Sequence, residues 1–164
     1  MRYGLIGGRL GHSHSPAIHR LLAGYDYRLY PLEEGELADF LAREDIGGLN
    51  VTIPYKKAVI PFCGELSNTA RRIGSVNTLV RRADGSLWGH NTDYAGFLAL
   101  CGRAGVSLAG KKVVILGSGG TSATARQAAA DQGAREIVVV SRSGPDNYEN
   151  LERHADCQIL VNTT

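Results

Sequence analysis

The sequence predicts an α/β protein built in two parts, and three observations carry that reading. Short apolar runs alternate with amphipathic stretches almost from end to end, the pattern of strands and helices taken in turn. A polar, glycine-bearing stretch from Gly105 to Lys112 interrupts the alternation, which then restarts. Many of the 21 glycines cluster, at Gly7-Gly8, Gly47-Gly48 and Gly117 to Gly120. Each cluster falls where a strand pattern gives way to a turn, and such turns need positive φ or close backbone approach.

Taken in order, residues 3–6 read as a strand, and a helix starts near Ser15-Pro16. Residues 27–30 form a second strand, 35–44 a helix and 49–53 a third strand. Residues 65–73 look helical, and 76–80 with 86–89 form a hairpin turning at Ala83-Asp84-Gly85. A helix begins near Thr92-Asp93 and runs to about Arg103. Beyond the break come a strand at 113–116, a glycine-rich turn, a helix over 122–132 and a strand at 137–140. A short helix near 148–154 and a strand at 158–161 complete the pattern.

The balance of residues narrows the function. With 43% hydrophobic residues, 21% charged residues and a net charge of +2, the 164-residue chain has the profile of a soluble globular protein with a real core. Its basic pairs, Arg71-Arg72, Arg81-Arg82 and Lys111-Lys112, are short and read as solvated surface. Nucleic acid and membrane are therefore excluded as partners. The apolar runs are too short to span a bilayer, and the N-terminus lacks the apolar stretch of a signal peptide. Cys63, Cys101 and Cys157 are odd in number and far apart, which fits reduced thiols in a cytoplasmic protein.

Gly117-Ser118-Gly119-Gly120-Thr121-Ser122 follows a strand of β-branched and leucine residues and opens an alanine-rich helix. Gly117 and Gly119 fit the first two positions of the dinucleotide fingerprint, and Ser122 stands where the third glycine usually lies. Side chains there would keep the backbone N–H groups from a pyrophosphate resting on the helix N-terminus. A tight turn between strand and helix is the plainer alternative. At the end of the next strand, where NAD-binding sheets carry an acidic residue, stand Ser141-Arg142-Ser143. A guanidinium between two hydroxyls suits a 2′-phosphate, so NADP(H) is favoured. Residues 106–164 are thus read as the first half, βαβαβ, of a Rossmann-type dinucleotide-binding domain, and residues 1–105 as a substrate-binding and catalytic domain.

Three motifs in the first domain point further: Gly11-His12-Ser13-His14-Ser15-Pro16; Asn50-Val51-Thr52-Ile53-Pro54-Tyr55-Lys56; and Asn77-Thr78 with Gly89-His90-Asn91-Thr92-Asp93. With the Gly117 loop, their order and spacing resemble the shikimate dehydrogenase family, including its quinate-using relatives, over essentially the whole chain. The resemblance implies reversible, NADPH-dependent reduction of 3-dehydroshikimate to shikimate, a step in making chorismate and the aromatic amino acids, by a cytoplasmic monomer or homodimer. It implies that Ser13 and Ser15 hold the substrate carboxylate, and that Asn50, Thr52, Asn77 and Asp93 bind the ring hydroxyls and reacting oxygen. Lys56 and Asp93 would form the catalytic pair. Gly117, Ser118, Gly119, Gly120 and Thr121 would cradle the pyrophosphate, and Ser141, Arg142 and Ser143 would meet the 2′-phosphate.

Each of these residues also has a plainer reading. Ser15 before Pro16 suits an ordinary helix N-cap, Asp93 suits another, and a lysine such as Lys56 is usually solvated. Ser15 can cap and face the substrate at once. His12, His14 and His90 offer no convincing third ligand, so no metal is expected.

Members of the family continue past the length of this chain, so the strand at 113–116 is expected to be an unpaired apolar edge. A truncated gene, a proteolytic fragment and a sheet completed by dimerisation all account for the length, and truncation is favoured, with weak or absent catalysis. A quinate or aminoshikimate dehydrogenase, a shikimate-binding protein without turnover, and a methylene-tetrahydrofolate dehydrogenase are the rival readings. The paired serines, suited to a small carboxylate, speak against the last.

Overall fold

The computed structural model describes residues 1–11 and 13–164; His12, named above among the residues of the rejected metal reading, lies outside the described residues. The chain divides into two compact units, Met1–Asn91 and Thr92–Thr164, each with its own sheet. The polar stretch at 105–112 lies within the second unit. Helix α4 (Asp93–Arg103), which the sequence reading groups with the first domain, packs Phe97 and Cys101 against the apolar cluster of the second.

The first unit has six strands: β1 (Arg2–Gly7), β2 (Tyr27–Pro31), β3 (Ile46–Val51), β4 (Glu65–Leu66), β5 (Thr78–Arg81) and β6 (Leu87–His90). Their order across the sheet is β2-β1-β3-β5-β6-β4. β1 pairs in parallel with β2 and β3, whereas β5 runs antiparallel to both β3 and β6. Alternation along the strands sends Ile6, Leu49, Val51 and Leu79 into one core with Leu37 and Leu41 of α2 (Leu37–Leu41) and Ala70 of α3 (Asn68–Ile73). Each fully buried aliphatic side chain there contributes about 1.5–3 kcal/mol. Tyr27, Asn50 and Thr78 line a recess together with His19 of α1 (Ser15–Leu22).

Several elements differ from their sequence-based bounds for identifiable reasons. Gly47-Gly48 is not a turn but the interior of β3, because Tyr3 of the neighbouring strand lies over it; a Cβ on Gly47 would sit 3.0 Å from the Tyr3 ring. The segment 65–73 is not one helix. Its first two residues pair with β6 as β4, and α3 begins only after Ser67, whose Oγ accepts the Ala70 N–H at 3.1 Å. The segment 35–44 is a 3-10 turn over Glu34–Glu36 leading into a single short helix that ends at Leu41.

In the second unit β7 (Lys112–Leu116), β8 (Glu136–Val140) and β9 (Ile159–Asn162) form a parallel sheet, with α5 (Gly120–Asp131) between the first two strands. The order is β8-β7-β9. The expectation that β7 would be an unpaired edge is therefore wrong. β9 crosses over to the side of β7 opposite β8, so β7 is central and paired along both edges. Its residues alternate between two apolar clusters. Val113 and Ile115 meet Ala125 and Ala129 of α5, while Val114 meets Val138 and Val140. A strand covered on both faces is apolar throughout, as this one is after its first residue. The expected helix near 148–154 is only a 3-10 turn over Leu151–His154.

That first residue overturns another expectation. Lys112 is not solvated surface: its side chain is 7% exposed, and its Nζ lies 2.7 Å from Asp156 Oδ1 and 3.3 Å from Glu136 Oε1. The ammonium is held charged chiefly by the hydrogen bond to Asp156, which in turn draws the Asp156 carboxyl below its ordinary range. Among the described residues, no helix is long and apolar enough to cross a membrane.

Two measurements check these packing arguments. A Cβ on Gly89 of β6 would lie 2.7 Å from Leu66 Cδ2 and 2.9 Å from Cys63 Sγ. Gly89→Ala should therefore cost about 1–3 kcal/mol in urea unfolding through overpacking. Asp156→Asn should lower the urea midpoint at about pH 7. Because the folded carboxyl titrates below its unfolded value, that contribution is full at neutral pH and fades as pH falls through the carboxylate range. The wild-type midpoint should thus converge on that of Asp156→Asn in acid.

Candidate functional site

The carboxyl ends of β1 and β3, the start of α1 and the start of β5 gather most of the residues singled out in the sequence. β3 ends at Val51, and the next residues turn back under main-chain bonds: Thr52 N–H donates to Ile6 O at 2.9 Å, and Tyr55 N–H to Thr52 O at 2.9 Å. The Ile53–Pro54 peptide is cis. Tyr55 is buried and its hydroxyl donates to Leu32 O at 2.6 Å, anchoring the loop from which half-buried Lys56 projects.

Main-chain bonds then lace this loop to the other motifs. Val76 N–H donates to Lys56 O at 2.7 Å, Val51 N–H to Asn77 O at 2.8 Å, and Asn77 N–H to His90 O at 3.0 Å. Asn77, distant in sequence, is brought by these bonds to the region of the first unit that holds Asn50, Thr52 and Lys56. Asn77 is 8% exposed, and its Oδ1 accepts the Thr78 hydroxyl at 3.0 Å.

At the start of α1 the capping differs from the sequence reading. Ser15 is the first helical residue rather than the cap, and His14 at the N-cap position makes no side-chain cap bond. Ser13 Oγ instead accepts the Ser15 N–H at 3.2 Å. Ser13 therefore performs the satisfying role expected of Ser15, and Pro16 occupies the first turn, where its missing N–H costs nothing. Both serines are half-buried at the positive end of the helix. Asp93 likewise is the first residue of α4, with Thr92 at the N-cap; it belongs to the second unit, whereas Lys56 belongs to the first.

Sequence reasoning missed Tyr27. Its hydroxyl donates to Asn50 Oδ1 at 2.7 Å, and its ring stacks on His19 with centroids 3.8 Å apart and planes 10° from parallel. Burial, the largest influence, pushes its phenol up to about 12. As the opening residue of a strand, Tyr27 carries no signal that its hydroxyl meets a residue 23 positions away.

In the second unit the glycine loop lies at the carboxyl end of β7, between the ends of β8 and β9. That is the switch point of the sheet, the place where open α/β sheets bind ligands. Gly117 has φ +107°, and a Cβ there would lie 2.8 Å from Thr163 Oγ1. The Thr163 hydroxyl donates to Leu116 O at 2.6 Å, a role at the end of β9 that no sequence motif indicates. Gly119 is the N-cap of α5, exposed, and a Cβ on it would meet nothing within 4 Å. The loop thus leaves open space over a helix N-terminus, which fits a pyrophosphate. Beyond β8, Ser141 N–H donates to Asp146 O at 3.0 Å, closing a turn on which Arg142 and Ser143 stand exposed. A guanidinium in that position is available to a phosphate.

Comparison with known proteins agrees with this geometry. The family profile described as the shikimate dehydrogenase substrate binding domain matches residues 5–79. A shikimate dehydrogenase (NADP(+)) of Bacillus cereus is 41% identical over 150 residues, covering 86% of this chain and 54% of the relative. The chain thus spans about half the length of that relative. The crystal structure of shikimate dehydrogenase 1 from Peptoclostridium difficile superposes with a TM-score of 0.92 at 33% identity, over 100% of this chain and 67% of that one. A shikimate 5-dehydrogenase from Thermus thermophilus, solved in complex with NADP(H) and shikimate, superposes with a TM-score of 0.85 at 30% identity, over 100% of this chain and 68% of that one. Motifs, fold and relatives agree, and the chain belongs to the shikimate dehydrogenase family.

Proposed function

We propose that the protein serves the reversible, NADPH-dependent reduction of 3-dehydroshikimate to shikimate, in the cytoplasm and on the route to chorismate and the aromatic amino acids. The observation that carries this reading is the lacing of Asn50, Thr52, Lys56 and Asn77 by main-chain bonds beside the serine-bearing start of α1. Such a cluster of hydroxyls, amides and one ammonium suits a small acid bearing several ring oxygens. Ser13 and Ser15 take the carboxylate, aided by the positive end of α1. Asn50, Thr52 and Asn77 take the ring oxygens. Fixing the ring in this way selects the carbon that reacts, an orientation effect worth several kcal/mol of the barrier.

NADPH bound at the second unit supplies the hydride. Lys56 handles the proton at the reacting oxygen, and Asp93 orients that hydroxyl. Gly117 to Thr121 carry the pyrophosphate on the N–H groups that open α5, and Ser141, Arg142 and Ser143 take the 2′-phosphate. The relative from Thermus thermophilus was solved in complex with NADP(H) and shikimate, which supports this choice of ligands. The three free thiols are in keeping with a cytoplasmic setting.

The test is NADPH oxidation with 3-dehydroshikimate, run on this chain and on the chain joined to the C-terminal portion of the Bacillus cereus relative. Turnover by either supports the reading. Shikimate binding with no oxidation by either would favour a binding-only protein, and quinate offered alongside separates the quinate-using relatives. In the active form, Lys56→Ala should lower kcat about 100-fold or more while KM changes only a few-fold. A variant that lost only substrate affinity would remove Lys56 from the chemical step. Arg142→Ala should weaken NADPH binding about 10- to 100-fold and leave NADH binding unchanged, as judged by fluorescence titration.

A further inference from the structure

We propose that Tyr27 is a positioning residue of the substrate site, setting the orientation of the Asn50 side chain through its hydroxyl. The inference rests on the reading of Asn50 as a ligand to a substrate oxygen. An asparagine side chain has a carbonyl oxygen that only accepts and an amino group that only donates, on opposite edges of one plane. A half-turn about its last bond exchanges them. An oxygen ligand that needs a donor is recognised by one orientation and refused by the other.

Tyr27 selects between the two. Its O–H donates to Asn50 Oδ1 at 2.7 Å, so the carbonyl edge faces the phenol and the Nδ2 edge is directed elsewhere. The reversed orientation would set the amino group against the phenol O–H, losing that bond. The phenol itself is held. His19 of α1 stacks on its ring with centroids 3.8 Å apart, and His19 Nδ1 lies 2.6 Å from the Tyr25 hydroxyl. A phenol is protonated, and so a donor, across the physiological range, and burial raises that of Tyr27 further.

With its carbonyl edge taken up by the phenol, Asn50 offers donors, which suits a substrate oxygen that accepts: a ketone, or a hydroxyl through its lone pairs.

Tyr27→Phe keeps the ring and its stack on His19 while removing only the O–H. The side-chain amide protons of Asn50, assigned by their loss in Asn50→Ala, are the direct readout in the ligand-free chain. Their shifts should move in Tyr27→Phe while the signals of the Ile6, Leu49 and Leu79 core stay in place. Unchanged Asn50 signals would overturn the proposal, whether or not the protein binds shikimate. The second readout is shikimate affinity. Tyr27→Phe should weaken it about 5- to 30-fold, the effect of leaving one half-buried partner unsatisfied, with NADPH affinity unaltered. In an Asn50→Ala background the same substitution should have almost no further effect, because the two residues then act as one unit. Additive losses in that cycle, or a Tyr27→Phe affinity within twofold of wild type, would overturn the positioning role. Absence of shikimate binding by the wild type would count against the functional reading and leave the Asn50 signals to decide the role of Tyr27.

Discussion

The amides of Val51, Val76 and Asn77 each donate across a boundary between elements, and the candidate substrate site depends on those three bonds. None belongs to the run of a helix. Together they join the end of β3, the loop bearing Lys56, the start of β5 and the end of β6. Side chains contributed by separate segments acquire a shared frame only because the backbone beneath them is cross-linked in this way. Buried backbone donors are almost always satisfied, so the arrangement also meets an obligation that these loop amides would otherwise carry unmet. The core below, with Ile6, Leu49, Val51 and Leu79, supplies the rigid floor.

A different constraint governs the second unit. There the candidate site is made largely of main chain, and the sheet order puts it in place. With β9 on one side of β7 and β8 on the other, the two neighbouring connections leave the sheet in opposite directions, and the loop after β7 opens into the gap. Gly117 can occupy that position because nothing projects from its Cα toward Thr163. The helix that follows presents unpaired N–H groups by necessity, since the first turn of any helix has no acceptors within itself.

Much of this was legible in the sequence. The alternation of apolar runs located most of the strands and helices, and the glycine loop and Arg142 could be singled out because the chemistry of phosphate binding demands those residue types at that spacing. The elements that misled were those whose determinants lie elsewhere in the chain. Gly47-Gly48 looks like a turn until Tyr3 is laid over it. Lys112 looks like solvated surface until Asp156 and Glu136 are brought to it from distant segments. β7 looks like an edge unless the crossing of β9 is known, and the direction of a crossing is not written in any local pattern. Tyr27 escaped notice for the same reason: its side-chain partner is fixed by strand pairing and by α1, not by its neighbours in sequence.

The two ends of β7 are built from different materials. At its start Lys112 is clasped by Glu136 and Asp156, and at its finish the backbone turns through Gly117 beneath Thr163. The first end is ionic and made of side chains; the second is steric and made of backbone. Each end of the strand thus rests on its own partners: the clasp on charges brought from β8 and from the segment before β9, the turn on the absence of a side chain at Gly117.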